Sequence, residues 1–192
     1  GPLSSHAQDS RPFKVRQPAT GMLFYAKSHY MQNTEAIKNP YIIGAFFQIY
    51  WSQFEKENGV YDWSLLDNAM KPWTDAGKKV VLRIFWSANG AWPDPINKTP
   101  TPKWVWDEGA KFCFDEPTQT EIPLMWDAIY KKYAFRVIDE LEKRYDSNEN
   151  VLLFDITPGG ETSPYRFSMN RAGSGLQARF QAMEASDGTK YS

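Results

Sequence analysis

Glu161 is the residue of this 192-residue sequence that is best placed to act as an acid or a base. It follows an apolar run, Val151–Ile156, and the pair Gly159–Gly160, where the missing side chains let the backbone approach a ligand closely. A carboxylic acid in apolar surroundings has a raised pKa and can donate a proton near neutral pH. The alternative is a solvated loop glutamate, and the residues alone leave both interpretations open. Asp155 is interpreted instead as the partner of Arg83 in a structural ion pair.

Tryptophan is the second informative residue type, because several of the eight tryptophans lie in segments that otherwise have the composition of loops. The apolar face of a sugar ring stacks on aromatic side chains, while its hydroxyl groups need polar partners. Trp51 and Trp86 end two apolar runs, and Trp92 and Trp106 lie in a long irregular segment. We predict that these four line a carbohydrate-binding cleft, and that Trp104 packs the irregular segment onto the fold. The alternative for two or three of the five is a packing role.

His29 follows the first apolar run and is a further candidate for the cleft. The chain has only two histidines and one cysteine, Cys113, so the sequence predicts no metal site, disulfide or cofactor. Phosphate-binding loops and the nucleophile elbow of serine hydrolases are both missing from the sequence. With 22 basic and 23 acidic residues, the composition does not favour a nucleic-acid partner. No apolar run approaches the roughly 20 residues of a membrane span.

Apolar runs and helical patterns alternate along the chain. We predict strands at 22–26, 44–51, 79–85 and 151–156, helices opening at Asp62, running over 127–145 and lying within 174–184, and an irregular segment over 86–121. Gly77 is a natural end for the first of these helices, and Pro72 is expected to kink it. Such alternation predicts right-handed βαβ units around a parallel sheet.

The pattern is compatible with two architectures, an open doubly wound sheet or a closed (β/α)₈ TIM barrel. The first would need a glycine-rich phosphate loop, whereas candidate residues at strand ends favour the barrel. A barrel takes about 250 residues, so four βα units predict the N-terminal half of one. We assign residues 1–20 to the scar of an expression tag and a polar lead-in arm, and 21–192 to the half-barrel. A half-barrel paired with its own copy is the less economical alternative.

The run from Gln48 to Trp63, QIYWSQFEKENGVYDW, resembles the second-strand signature of clan A glycoside hydrolases. Other segments are similar to bacterial members of that clan, including β-galactosidase-like proteins: Ala76–Val80, Thr101–Val105, Ile122–Pro123 and Trp126–Asp127. The resemblance covers Met22 to Tyr165 and is more specific for the clan than for any one family in it.

This resemblance implies a retaining glycoside hydrolase that cleaves O-glycosidic bonds of oligo- or polysaccharides. The clan's general acid/base is a glutamate at the end of the fourth strand, and Glu161 occupies that position. Gly160 stands where the clan has an asparagine, and Glu55 and Glu57 match a structural turn. The nucleophile lies on the clan's seventh strand and is not assignable here. We therefore expect the 192 residues alone to be inactive and their partners to be a carbohydrate and the remaining half of the barrel.

A non-catalytic carbohydrate-binding barrel is the alternative function, because of Gly160 and the unassigned nucleophile. For either function we expect an extracellular or periplasmic location, with a cytoplasmic location as the alternative.

Overall fold

The computed structural model describes residues 20–26, 33–87, 99–116, 119–155 and 176–191. The predicted tag scar and arm lie outside the described residues, apart from Thr20. In chain order the elements are β1 (Met22–Ala26), α1 (Thr34–Lys38), β2 (Ile42–Tyr50), α2 (Trp51–Phe54), α3 (Trp63–Asp75), β3 (Lys79–Phe85), α4 (Lys103–Asp107), β4 (Phe112–Asp115), β5 (Thr120–Pro123), α5 (Ala128–Tyr145), β6 (Val151–Asp155) and α6 (Leu176–Ala182).

Four strands form one parallel sheet in the order β1-β2-β3-β6. Each strand pairs with the one that precedes it in this series, so the sheet winds in one direction. A doubly wound sheet reverses its strand order, whereas a barrel adds each new strand on the same side. The predicted α/β fold, with four βα units of a (β/α)₈ barrel, is therefore confirmed.

The two faces of this sheet differ because side chains alternate along each strand. One face, with Phe47, Ile49, Leu82 and Ile84, packs against α3 and α5 and forms the main hydrophobic core. We call the opposite side the inward face, since it would face the axis of a closed barrel. The strand residues of the inward face include Leu23, Tyr25, Phe46, Gln48, Tyr50, Val81, Arg83, Phe85, Leu153 and Asp155.

The two long helices begin where the sequence predicts. Asp62 caps α3 by accepting a hydrogen bond from the backbone N–H of Leu65 at 3.1 Å, and Asp127 caps α5 in the same way. Gly77 has a φ of 73°, a conformation that favours glycine, just after α3 ends. Pro72 lies inside α3, which continues for three residues beyond it to Asp75.

The prediction of an irregular segment over residues 86–121 is wrong for its described part. It contains the helix α4 and the strand β4, which forms an antiparallel hairpin with β5. Residues 88–98, which include Trp92, lie outside the described residues. No helix in the described ranges is long and apolar enough to cross a membrane.

Candidate active site

Trp51 lies in the core and not in a cleft. Its side chain is 0% exposed, and its indole N–H donates a 2.7 Å hydrogen bond to the buried carboxylate of Glu55. Its ring makes edge contacts with Trp86, Trp104 and Tyr130 at centroid distances of 5.4, 5.9 and 5.9 Å. Full burial leaves no ring face for a sugar, so the structure corrects the prediction that Trp51 binds substrate.

Trp86 is also buried in the core and is 3% exposed. Its backbone carbonyl accepts a 2.6 Å hydrogen bond from the hydroxyl of Thr101, which ties the later part of the loop to the end of β3. The buried indole N–H of Trp86 meets no acceptor among the described residues. In this structure Trp86 joins the core and does not present a surface on which a sugar could stack.

The physical reason for both corrections is the alternation of the strands. Trp51 comes two residues after Ile49, and Trp86 comes two residues after Ile84, so both continue the helix-facing series. The residues of opposite parity, Tyr50 and Phe85, lie on the inward face, and their rings contact each other at 5.2 Å. Counting in steps of two from the strand interior would have found them.

Two further tryptophans lie on α4. Trp104 donates a 3.0 Å hydrogen bond to the backbone carbonyl of Glu55, and its edge contact with Tyr133 confirms the predicted packing role. Trp106 is half-buried, donates a 2.8 Å hydrogen bond to Glu121 and contacts the ring of Phe112. Its predicted contact with a sugar stays a prediction.

Glu161, His29 and Trp92 lie outside the described residues, so their predicted roles stay predictions. The chain enters the segment that carries Glu161 from Asp155, the last residue of β6. Glu161 is six positions further on in the sequence.

A polar row crosses the inward face near the carboxyl ends of the strands. Gln48, Arg83 and Asp155 are in register on β2, β3 and β6. Arg83 Nε donates to Asp155 Oδ2 at 2.8 Å, and Arg83 Nη2 contacts the same oxygen. This pair confirms the predicted ion pair between Arg83 and Asp155. The Tyr25 hydroxyl donates to Gln48 Oε1, which extends the row to β1. Tyr25 and Gln48 are not among the site residues that the sequence predicts.

Glu55 organises the loop beneath the strand ends. Its side chain is 0% exposed and accepts hydrogen bonds from Trp51, from the backbone N–H of Gly59 at 2.8 Å and from Arg136 at 2.5 Å. Arg136 belongs to α5, so this carboxylate joins the end of β2 to that helix. Burial raises the pKa of the nearby Tyr61 hydroxyl, and the charge of Glu55 adds to that effect. The predicted scaffold role of Glu55 agrees with these contacts.

The described residues contain no cluster of three or more histidine, cysteine, aspartate or glutamate side chains that could hold a metal ion. The polar groups near the strand ends pair with one another instead. In the described part, the polar side chains of the inward face can form hydrogen bonds with a ligand. They lie near Asp155, the last residue of β6, which precedes Glu161 in the sequence.

A comparison with protein families matches residues 28–169 to glycoside hydrolase family 42, described as beta-galactosidase. No curated protein matches the chain.

Several solved β-galactosidases have a similar fold. The enzyme of the psychrophilic Marinomonas ef1 has a TM-score of 0.51 and 14% identity, covering 71% of this chain and 21% of that one. The cold-adapted enzyme of Rahnella sp. R3 has a TM-score of 0.51 and 16% identity, covering 76% and 23%. The polyextremophilic enzyme of the Antarctic haloarchaeon Halorubrum lacusprofundi has a TM-score of 0.50 and 18% identity, covering 70% and 20%. The matched part therefore spans about a fifth of these enzymes.

Proposed function

This chain belongs to glycoside hydrolase family 42, and from that premise we propose that it forms the N-terminal part of a barrel that hydrolyses β-galactosides. The observation that carries the proposal is the family match over residues 28–169, a range that contains Glu161 and three strands of the parallel sheet, β2, β3 and β6. The arrangement of the sheet supports it, because all four strands run in parallel and direct their carboxyl ends to one edge. That edge carries the active site in barrel enzymes.

In this proposal Glu161 is the general acid/base of a retaining mechanism. It protonates the glycosidic oxygen as the bond to the sugar breaks, and a second carboxylate attacks the anomeric carbon from the opposite face. Glu161 then removes a proton from water as the covalent intermediate is hydrolysed. The second carboxylate would come from a later strand of the barrel.

The substitution Glu161→Gln tests this role in the complete gene product. Glutamine keeps the shape of the side chain but has no proton to transfer, so kcat for lactose should fall by about 10²–10⁴-fold. An aryl β-galactoside, whose leaving group needs little protonation, should lose less in the first step. Added azide should then restore turnover, because it attacks the intermediate without a general base.

Glu57→Gln is a matched control, since Glu57 is exposed and lies on the turn after β2. It should keep the turnover of the unsubstituted protein. Unchanged lactose hydrolysis by Glu161→Gln would show that another residue is the acid.

A non-catalytic carbohydrate-binding barrel is the second candidate, and Gly160 is the observation that favours it. The clan's asparagine at that position contacts the sugar, and glycine has no side chain to do so. Galactose binding without hydrolysis of any β-galactoside by the complete gene product would support this candidate over the enzyme.

A further inference from the structure

The polar row is unusual for its place in the fold. The interior of a (β/α)₈ barrel is filled mainly by branched apolar side chains. The neighbours of the row on the inward face follow that rule, with Phe46, Val81 and Leu153 on one side along the strands. Gln48 and Arg83 interrupt this apolar surface on adjacent strands and in register with each other.

The hydrogen bonds within the polar row do not use all of its side-chain N–H donors. Arg83 uses Nε and Nη2 on Asp155 Oδ2, and its guanidinium lies 4.7 Å from the ring centroid of Phe46. Gln48 uses its carbonyl oxygen to accept from Tyr25. In the part of the chain that the structure describes, Arg83 Nη1 and the side-chain amide nitrogen of Gln48 have no hydrogen-bond acceptor.

Such donors need an acceptor when the interior closes around them, because a buried donor without a hydrogen-bond partner is destabilising. The two belong to paired strands, which lie about 4.8 Å apart, so one small ligand with several oxygen atoms can meet both. Asp155 balances the charge of Arg83, and the pair is largely shielded, with 14% and 23% of the two side chains exposed. A neutral acceptor therefore suits the row better than an anionic one.

We propose that Gln48 and Arg83 donate hydrogen bonds to hydroxyl oxygens of a neutral sugar and so help to set which sugar the site accepts. This inference rests on the proposed function and deepens it. Asp155 is the positioning residue, because it fixes the guanidinium plane and directs Nη1 away from the pair.

The test compares galactosides that lack one hydroxyl group each. In the complete gene product, removal of a hydroxyl that the row binds should lower kcat/KM by about 10–100-fold, since the donor is then left without a partner. Gln48→Met keeps the length of the side chain without a donor, and Arg83→Lys keeps the charge without the Nη1 group. Each variant should reduce that penalty to less than about threefold, for the hydroxyl that its residue binds.

Arg144→Lys is the matched control. Arg144 also pairs with an aspartate, Asp67, and lies over an aromatic ring, Trp63 at 4.8 Å, but it belongs to α5 on the helix side of the sheet. Arg144→Lys should leave unchanged the factor by which removal of each hydroxyl group lowers kcat/KM, which we call the deoxy penalty. The thermal midpoint of each variant shows whether it has folded, and Gln48→Met decides the matter if Arg83→Lys does not fold.

Equal deoxy penalties in the unsubstituted protein, Gln48→Met and Arg83→Lys would overturn this inference while leaving hydrolysis by Glu161 in place. Failure of the proposed function has a different signature, since no galactoside would then be cleaved. In that case calorimetric affinities for galactose and its deoxy forms provide the same comparison, and equal penalties would again reject the role of the row.

Discussion

Glu55 shows how one side chain can hold several segments. Its carboxylate has no solvent contact and accepts three hydrogen bonds, from an indole, a backbone amide and a guanidinium. The Arg136 side chain is 33% exposed, so the pair is only partly screened by water. A buried carboxylate is tolerated when its oxygens are satisfied in this way.

We predict that Glu55→Gln lowers the free energy of unfolding by about 1.5–3 kcal/mol, the range for hydrogen bonds to charged groups. The amide cannot accept all three donors, and Arg136 loses its counter-charge. Urea unfolding followed by tryptophan fluorescence measures the change. Glu57→Gln, two positions away and exposed, should stay within about 0.5 kcal/mol. Equal midpoints for the two variants would contradict the role of Glu55.

Tyr145 makes the free energy of unfolding depend on pH in the alkaline range. Burial raises its pKa, and its hydrogen bond to Asp67 at 2.7 Å adds to the effect. The neutral hydroxyl is favoured in the folded state, so its contribution is fully present below the unfolded pKa of about 10 and is lost as pH rises toward the folded value. Between pH 10 and 11.5, the free energy of unfolding should fall less steeply with pH in Tyr145→Phe, by a difference that rises to at most about 1.4 kcal/mol per pH unit. Urea midpoints across this range test it, and an unchanged slope would contradict it.

Residue positions were predictable where a local rule decides them. Asp62 was predictable as a cap because a carboxylate before a helical pattern satisfies free backbone amides, and the second helix was predicted to begin at Asp127, which caps it in the structure. Trp51 and Trp86 were placed in the cleft because they end strands, although the alternation that sends them to the core was also present in the sequence. The register that aligns Gln48 with Arg83 depends on pairing between distant segments, so no local pattern contained it.

Asp127 acts at the scale of elements, since it joins the start of α5 to the C-terminal segment. Its carboxylate accepts hydrogen bonds from the backbone amides of Ile129 and Tyr130 at 2.9 and 3.1 Å. It also accepts from the amide and the hydroxyl of Ser186, at 2.5 and 2.9 Å. Among the described residues, the partners of Asp62, the cap of α3, are local: the backbone amide of Leu65 and the hydroxyl of Ser64.

The two caps therefore form a matched pair of variants. Asp62→Ala should cost about 1 kcal/mol, as expected for a helix cap. Asp127→Ala should cost about 3 kcal/mol, because it also leaves the amide of the buried Tyr130 and the groups of Ser186 without an acceptor. It should also speed proteolysis within residues 176–191, which Asp62→Ala should not do. Equal costs and equal cleavage would show that Asp127 is only a cap.

Strands β1 and β3 matched their predicted bounds because continuous apolar runs indicate buried parallel strands. The β4–β5 hairpin was missed for a physical reason. Each strand has only four residues, β5 ends in Pro123, and the turn places Gln119 at a φ of 53° where glycine would be expected. Proline and short length both predict a loop, yet a two-stranded ribbon tolerates proline at a strand end.

At the scale of the whole molecule, the sheet has two edges in its described part, β1 and β6. Three apolar side chains of its inward face are notably exposed, with Leu23 at 40%, Tyr25 at 47% and Leu153 at 53%. A barrel of eight strands has no edges and covers this face. The repeated βα pattern was enough to predict the fold class, whereas nothing within the four described strands indicates which residues would cover the inward face.

We therefore predict that the 192 residues alone hydrolyse no β-galactoside. Cleavage with retention requires a second carboxylate about 5 Å from the acid. In the clan that this sequence resembles, that carboxylate lies on the seventh strand, and the structure describes four parallel strands. The assay uses an aryl β-galactoside, with the monomer verified by light scattering and the Glu161→Gln form as a control for contaminating host enzyme. The complete gene product should cleave the substrate, and its activity should fall when Glu161 is replaced. Turnover by the isolated monomer that disappears in Glu161→Gln would show that four strands suffice, and the second carboxylate would then have to be sought within these residues.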